Sequence, residues 1–159
     1  MLRESGCDYV ILGHSERREI FAESANDIKM RVESAVNARL IPILCVGETI
    51  EERKVGCFKE VLLAQCEECI PDNGRIIIAY EPVWAIGGSE IPKLEAIQES
   101  IAAIRSRFTT HTILYGGSVN QNNVCDLLKV DGLSGILVGG VSIKLKQFCE
   151  MIHNLLGCL

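Results

Sequence analysis

The chain has 159 residues, 48% of them hydrophobic and 23% charged. That is the make-up of a single globular domain, able to bury about 70% of its unfolded surface and too apolar for a disordered segment. A formal net charge of −5 and a pI near 5.3 leave no broad basic field, so neither nucleic acid nor a membrane surface is an expected partner.

No basic stretch leads into an apolar core at the N-terminus, and no apolar run reaches the roughly 18 residues of a membrane span, so a cytoplasmic location is expected. Eight cysteines, at positions 7, 45, 57, 66, 69, 125, 149 and 158, are then expected to be reduced thiols. Cys66 and Cys69 form a C-x-x-C. With Val55, Phe58 and Leu62 they recur at helical spacing, and no second pair or flanking histidine offers the missing ligands. The pair therefore reads as a helix's apolar stripe, with no metal bound.

In chain order, Met1 to Gly6 resembles a last helical turn stopped by glycine. Tyr9 to Leu12 is a short apolar run, hence a strand buried on both faces, and it delivers Gly13, His14 and Ser15 to its C-terminal end. Ser15 is the expected N-cap of the turn that follows. Ser24 to Arg39 is an amphipathic helix with Ile28, Val32, Ala35 and Val36 on one side. Ile41 to Val46 is the second strand, ending in Gly47-Glu48-Thr49, with a helix running to about Ile70. Ile76 to Tyr80 is the third; its helix, Pro92 to Phe108, carries Leu94, Ile97, Ile101 and Ile104 in steps of three and four. Thr112 to Tyr115 and Gly135 to Val138 are the fourth and fifth strands. The former ends in Gly116-Gly117-Ser118 before a short helix around Asn120 to Lys129. The latter ends in Gly139-Gly140 before a helix from Ile143 to Leu156, with Leu145, Phe148, Ile152 and Leu155 inward. Five strand-helix units in series, without a linker, make residues 1–159 one α/β domain with a parallel sheet.

Ligands of such folds sit beyond the C-terminal strand ends. His14, Glu48, Glu81, Ser118 and Gly139-Gly140 all fall there, whereas Asn73-Gly74 and Asp131-Gly132 at the other ends are ordinary turns. The third strand ends in Glu81 and then Pro82, which has no amide proton to continue the ladder. Beyond lie Val83, Trp84, Ala85 and Ile86, closed by Gly87, Gly88 and Ser89, the composition of a loop that closes over a ligand. Each Gly-Gly turn precedes a helix, so backbone N–H groups and helix ends can converge on an anion such as a phosphate. His14, at the start of a helical turn, is expected to be a neutral donor. Glu81, covered by Trp84 and Ile86, is expected to have a raised pKa suited to a general base. His111 and His153 lie off this rim and read as structural. A carboxylate, a neutral histidine, a phosphate cradle and a lid together point to proton abstraction beside a carbonyl in a small phosphorylated sugar.

The motifs Y-V-I-L-G-H-S-E-R-R (Tyr9 to Arg18), I-L-C-V-G-E-T (Ile43 to Thr49), A-Y-E-P-V-W-A-I-G (Ala79 to Gly87), Y-G-G-S-V (Tyr115 to Val119) and L-V-G-G (Leu137 to Gly140) resemble, in order, those of the triosephosphate isomerase family. The resemblance implies part of a TIM (β/α)8 barrel, from its fourth strand to its eighth helix. It implies Glu81 as the base and His14 as the electrophile, with Ser15 and Glu16 in support. Gly87, Ser118, Gly139 and Gly140 would hold the phosphate, and Pro82 to Ser89 would form the lid. The implied reaction interconverts dihydroxyacetone phosphate and glyceraldehyde 3-phosphate, a step of glycolysis and gluconeogenesis, with no cofactor or metal.

Two departures stand out. After A-I-G the family usually continues with threonine, glycine and often lysine, where this chain has Gly88, Ser89 and Glu90. The family's first three strand-helix units are also absent from this sequence. With them go its catalytic lysine, in an N-x-K turn that would face Glu16, and the loop that docks its homodimers. One origin is a start read at an internal methionine, since Met1 falls where the family commonly has one. The competing expectation is a non-catalytic half-barrel that binds a phosphorylated ligand or assembles with an N-terminal fragment. Five strands cannot easily close a barrel that typically needs about 250 residues. The isolated chain is therefore expected to be weakly stable or self-associating, with impaired turnover. Sedimentation and a coupled assay on the purified chain check this, and full family-level turnover by a monomer would contradict it.

Overall fold

In the computed structural model, which describes residues 1–87 and 91–158, five parallel strands lie side by side in chain order. They are β1 (Tyr9–Leu12), β2 (Ile41–Val46), β3 (Ile77–Tyr80), β4 (Thr112–Tyr115) and β5 (Gly135–Ile136). Leu12 pairs with Leu44, Val46 with Tyr80, Tyr80 with Tyr115, and Tyr115 with Ile136. The C-terminal strand ends are thus nearly level, and the loops that follow them share one rim.

The connections are α1 (Ser15–Glu19) and α2 (Ala25–Asn37), then α3 (Ile50–Val55) and α4 (Phe58–Cys69), α5 (Leu94–Arg107), α6 (Val124–Leu127) and α7 (Leu145–Cys158). Ser24 starts α2 with a reciprocal cap: its hydroxyl accepts the Asp27 N–H at 3.2 Å, and the Asp27 carboxylate accepts the Ser24 N–H at 2.9 Å. Thr49 and Glu52 do the same for α3. Each pair satisfies two backbone donors that the first helical turn leaves open.

The core lies between the sheet and these helices. Leu44 and Val46, Ile78 and Tyr80, Ile113 and Tyr115 project from one face at strand period two. They meet Ile28 and Val32 of α2, Leu62 and Cys66 of α4, and Ile97, Ile101 and Ile104 of α5. The other face is buried at its centre, where Ile77 and Ala79 are covered from both sides, and open at β1, where Tyr9 and Ile11 are half exposed.

Several expectations change. β1 is not buried on both faces, because it pairs with β2 alone among the described strands and leaves Tyr9 and Ile11 half exposed. Met1 to Gly6 forms the single helical turn expected there: the Ser5 N–H donates to the Met1 carbonyl at 3.0 Å, and Gly6 ends it in the left-handed conformation (φ 88°), with the Cys7 N–H on the Leu2 carbonyl at 3.1 Å. The helix after β2 is two helices, broken where Gly56 takes a left-handed conformation (φ 83°); this break turns Val55 into solvent. On α7 the inward residues are Met151, buried, with Phe148 and Leu155 partly buried against the core, while Leu145 and Ile152 are exposed. Cys66 and Cys69 are fully buried on α4, as a core stripe requires. The cysteines are not all reduced: Cys125 of α6 and Cys158 of α7 form a disulfide with Cα atoms 5.9 Å apart.

The reassigned face of α7 is open to test. Met151→Ala should cost about 2–5 kcal/mol in urea denaturation, the usual loss for emptying a buried methionine site. Leu145→Ala should stay within about 0.5 kcal/mol.

Candidate active site

Every residue of β3 is buried, so the strand delivers Glu81 to the rim as a side chain with little solvent. The Glu81 N–H still donates to the Val46 carbonyl at 2.8 Å, and the Gly116 N–H donates to the Tyr80 carbonyl at 2.9 Å. Neighbouring backbones come so close here that a β-carbon at position 47 would overlap the Glu81 carbonyl oxygen. One at position 116 would lie 2.6 Å from the Glu81 Cγ. Glycine is required at both places.

Glu81 is 4% exposed, and its Oε2 is buried without a hydrogen-bond partner. Burial pushes its pKa up, while the neighbouring His14 and the Cys45 thiol pull the other way.

His14 caps α1, the place expected for Ser15, because its Nδ1 accepts the Glu16 N–H at 3.3 Å. A neutral ring accepting at Nδ1 carries its proton on Nε2. That nitrogen lies 3.6 Å from the Glu81 Oε2. Arg18 steadies the turn: its Nε donates to the Gly13 carbonyl at 2.8 Å and its Nη2 to the Cys45 carbonyl at 3.2 Å, tying the ends of β1 and β2 together.

These groups open into a cavity of about 470 Å³ lined by His14, Glu81, Ile86, Gly87, residues 116–120, residues 137–141 and Lys144. The Asn123 side chain shapes the first glycine turn by donating to the Ser118 carbonyl at 2.8 Å. The second continues into a 3-10 turn, Gly140–Ile143, held by the Ser142 hydroxyl on the Gly139 carbonyl at 2.7 Å. Among the described residues, the N–H groups of Gly117, Ser118 and Gly139 make no backbone hydrogen bond. The expectation of two helix ends aimed at an anion is not met, since α6 begins only at Val124 and a 3-10 turn separates Gly139 from α7. The donors here are turn amides, a nest in place of a helix terminus.

The loop after Glu81 starts with a 3-10 turn, Val83–Ala85. The Ser118 hydroxyl donates to the Ala85 carbonyl at 2.5 Å, joining loop and glycine turn. Ile86 and Gly87 line the cavity, and Trp84 is not among its lining residues. Its indole lies close enough to Glu48 to favour that carboxylate's ionised form, yet neither its Nε1 nor the Glu48 Oε2 completes a hydrogen bond. Gly88 and Ser89, the rest of the expected lid, lie outside the described residues.

Of the residues singled out from sequence, His14, Glu81, Gly87, Ser118, Gly139 and Gly140 meet around this one cavity. Ser15 is buried beneath it, and the Glu16 side chain is mostly in solvent. Lys144 and Arg18 were missed. Lys144 is the one lysine or arginine among the described lining residues, and its signal was a cation four residues beyond a rim Gly-Gly. A larger recess of about 750 Å³ opens at the opposite strand ends beside Arg75, Arg107 and His111, but it brings together no acid-base pair comparable to His14 and Glu81.

Parallel strands in chain order, covered by helices and bearing their polar residues on the C-terminal rim, define a protein of the (β/α)-barrel class. The chain belongs to the triosephosphate isomerase family, whose model matches residues 1–155. It is 48% identical to the triosephosphate isomerase of Ehrlichia chaffeensis over 154 residues, covering 97% of this chain and 64% of that protein. The corresponding protein of Wolbachia pipientis wMel is 42% identical, with 62% of its length covered. The crystal structure of triosephosphate isomerase from Bartonella henselae superposes with a TM-score of 0.86 at 38% identity, covering 97% of this chain and 67% of that one. The chain thus spans somewhat under two thirds of the length of the curated relatives it matches.

The raised pKa of Glu81 has a signed consequence. A carboxyl that ionises less readily when folded supports stability below its ordinary value of 4.5 and loses that support as pH rises through the folded value. Glu81→Gln should therefore be as stable as the parent or more so at neutral pH, with the advantage fading in acid. Urea melts at acid and neutral pH measure it.

Proposed function

We propose that the chain carries the catalytic rim of a ketose-aldose isomerase acting on a phosphorylated triose, interconverting dihydroxyacetone phosphate and glyceraldehyde 3-phosphate. The observation that carries the reading is the 3.6 Å approach of His14 Nε2 to the buried Glu81 Oε2, in a cavity walled by two glycine turns. A carboxylate largely removed from solvent, with one oxygen free to accept, is a stronger base than one in water. Glu81 takes a proton from the hydroxymethyl carbon of the ketose. The electron pair left behind moves onto the carbonyl oxygen, which the His14 Nε2–H stabilises as charge develops. Glu81 returns the proton to the neighbouring carbon, the hydroxyl protons rearrange, and the aldose results.

The phosphate would sit against the turn amides at Gly117-Ser118 and Gly139-Gly140, with Lys144 at the margin supplying positive charge. The loop from Pro82 to Ser89 would close over the substrate and exclude water, which keeps the intermediate from losing its phosphate. Neither a cofactor nor a metal enters these steps. A cytoplasmic location and the family's homodimeric assembly belong to the same reading.

Deuterium exchange isolates the proton transfer from overall turnover. Dihydroxyacetone phosphate incubated with the chain in heavy water should gain deuterium at the hydroxymethyl carbon. Glu81→Gln should lower the rate by about a hundred- to ten-thousand-fold, and His14→Gln should lower it as well. Glycerol 3-phosphate binding without any exchange would sink the isomerase reading and favour a binding module.

A further inference from the structure

Helix α3 buries no residue of its own. One charged side chain ties it to the domain: Arg53, 13% exposed, with its guanidinium 4.0 Å over the Phe58 ring. The Nη1 of Arg53 donates to the Ser100 hydroxyl at 2.8 Å, and its Nη2 donates to the Ala96 carbonyl at 2.8 Å and lies 3.1 Å from the Glu99 carboxylate. All three belong to the first two turns of α5, which begins just beyond the loop that follows Glu81. In the other direction Nη1 lies 3.5 Å from the Glu48 Oε1. Glu48 is fully buried; its carboxylate accepts the Tyr80 hydroxyl at 3.1 Å, and its carbonyl accepts the Val83 N–H at 3.0 Å. The loop therefore leaves the sheet resting on Glu48 and re-enters the fold at α5, and one guanidinium grips both supports.

We infer that Arg53 is the positioning residue of this loop, a fork that fixes the spacing between the Glu48 support under Val83 and the start of α5. The inference rests on the reading of residues 82–89 as a lid over a phosphorylated ligand. Lysine does not substitute, since a point charge cannot reach the Ser100 hydroxyl, the Ala96 carbonyl and Glu48 in fixed geometry at once. The fork has an electrostatic side as well. Burial pushes the Glu48 pKa up, and Tyr80, Arg53 and the Trp84 indole act against it. The other titratable groups facing Glu48 are Tyr80 and Tyr115, both pushed well above the ordinary tyrosine value by burial and by Glu48 itself. They stay protonated across the neutral range.

Trp84 is the single tryptophan of the chain, so its emission reports on this loop without any activity assay. Emission is followed across the mildly acid to mildly alkaline range, and during titration with glycerol 3-phosphate, in the full chain and in Arg53→Met, Arg53→Lys and Glu48→Gln. Loss of the positive charge in R53M should move the pH transition of Trp84 up by about one unit or more, R53K should return it toward the parent, and E48Q should abolish it. Half-saturation by glycerol 3-phosphate should rise several-fold in both R53M and R53K. If circular dichroism shows R53M unfolded, R53K carries the test: a parental pH transition with weakened binding supports the fork. Parental behaviour of R53M, or of R53K where R53M is unfolded, in both measurements overturns the inference and leaves the lid reading standing, as does a pH transition that persists in E48Q. If glycerol 3-phosphate alters Trp84 emission in no form of the protein, the parent included, the lid reading itself fails.

Discussion

Glu81 occupies space that a β-carbon on either flanking loop would fill, its backbone carbonyl at position 47 and its side chain at position 116. The rest of the rim depends on this close approach. It lets the Glu81 N–H reach Val46 and the Gly116 N–H reach Tyr80, so the ladder continues one residue past the strands and holds the carboxylate on a rigid base. Only then does Nε2 of His14, fixed by its own cap on the Glu16 N–H and by Arg18 behind it, arrive within 3.6 Å of Glu81. A reactive pair built on strand ends keeps its spacing better than one built on mobile loops.

Two carboxylates are buried a few residues apart in space, and their surroundings divide them. Glu48 receives the Tyr80 hydroxyl, the Arg53 guanidinium and the neighbouring indole dipole. It behaves as a support, with the loop's first N–H resting on its carbonyl. Each carboxylate keeps an Oε2 without a hydrogen bond, but beside Glu81 stands a histidine just beyond bonding range where Glu48 has a guanidinium and a tyrosine hydroxyl. The difference lies in partners and not in depth, since both groups are almost fully enclosed.

Strands were legible where period and composition agreed. β2 and β4 run over the residues their apolar runs mark, and Ser24 and Thr49 start their helices because hydroxyl caps are local chemistry. Three features were not legible, each for a non-local reason. The break at Gly56 needs a left-handed residue that a helical pattern does not announce. The inward face of α7 is set by where the 3-10 turn at residues 140–143 releases it, which selects Met151 over Leu145 and Ile152. The Cys125–Cys158 disulfide joins residues 33 apart in sequence that meet only when α7 packs on α6.

By itself the sequence determined the serial order of five strand-helix units, the rim on which polar residues collect, and the identity of Glu81, His14 and the glycine turns, because periodicity, capping and turn chemistry act over a few residues. The tertiary structure decided which of these meet. Glu16 points to solvent, Lys144 enters the cavity wall, the Trp84 indole lies beside Glu48, and Arg53 joins two segments 43 residues apart. Distances between residues remote in sequence follow from how helices pack on a twisted sheet, and no local pattern encodes them.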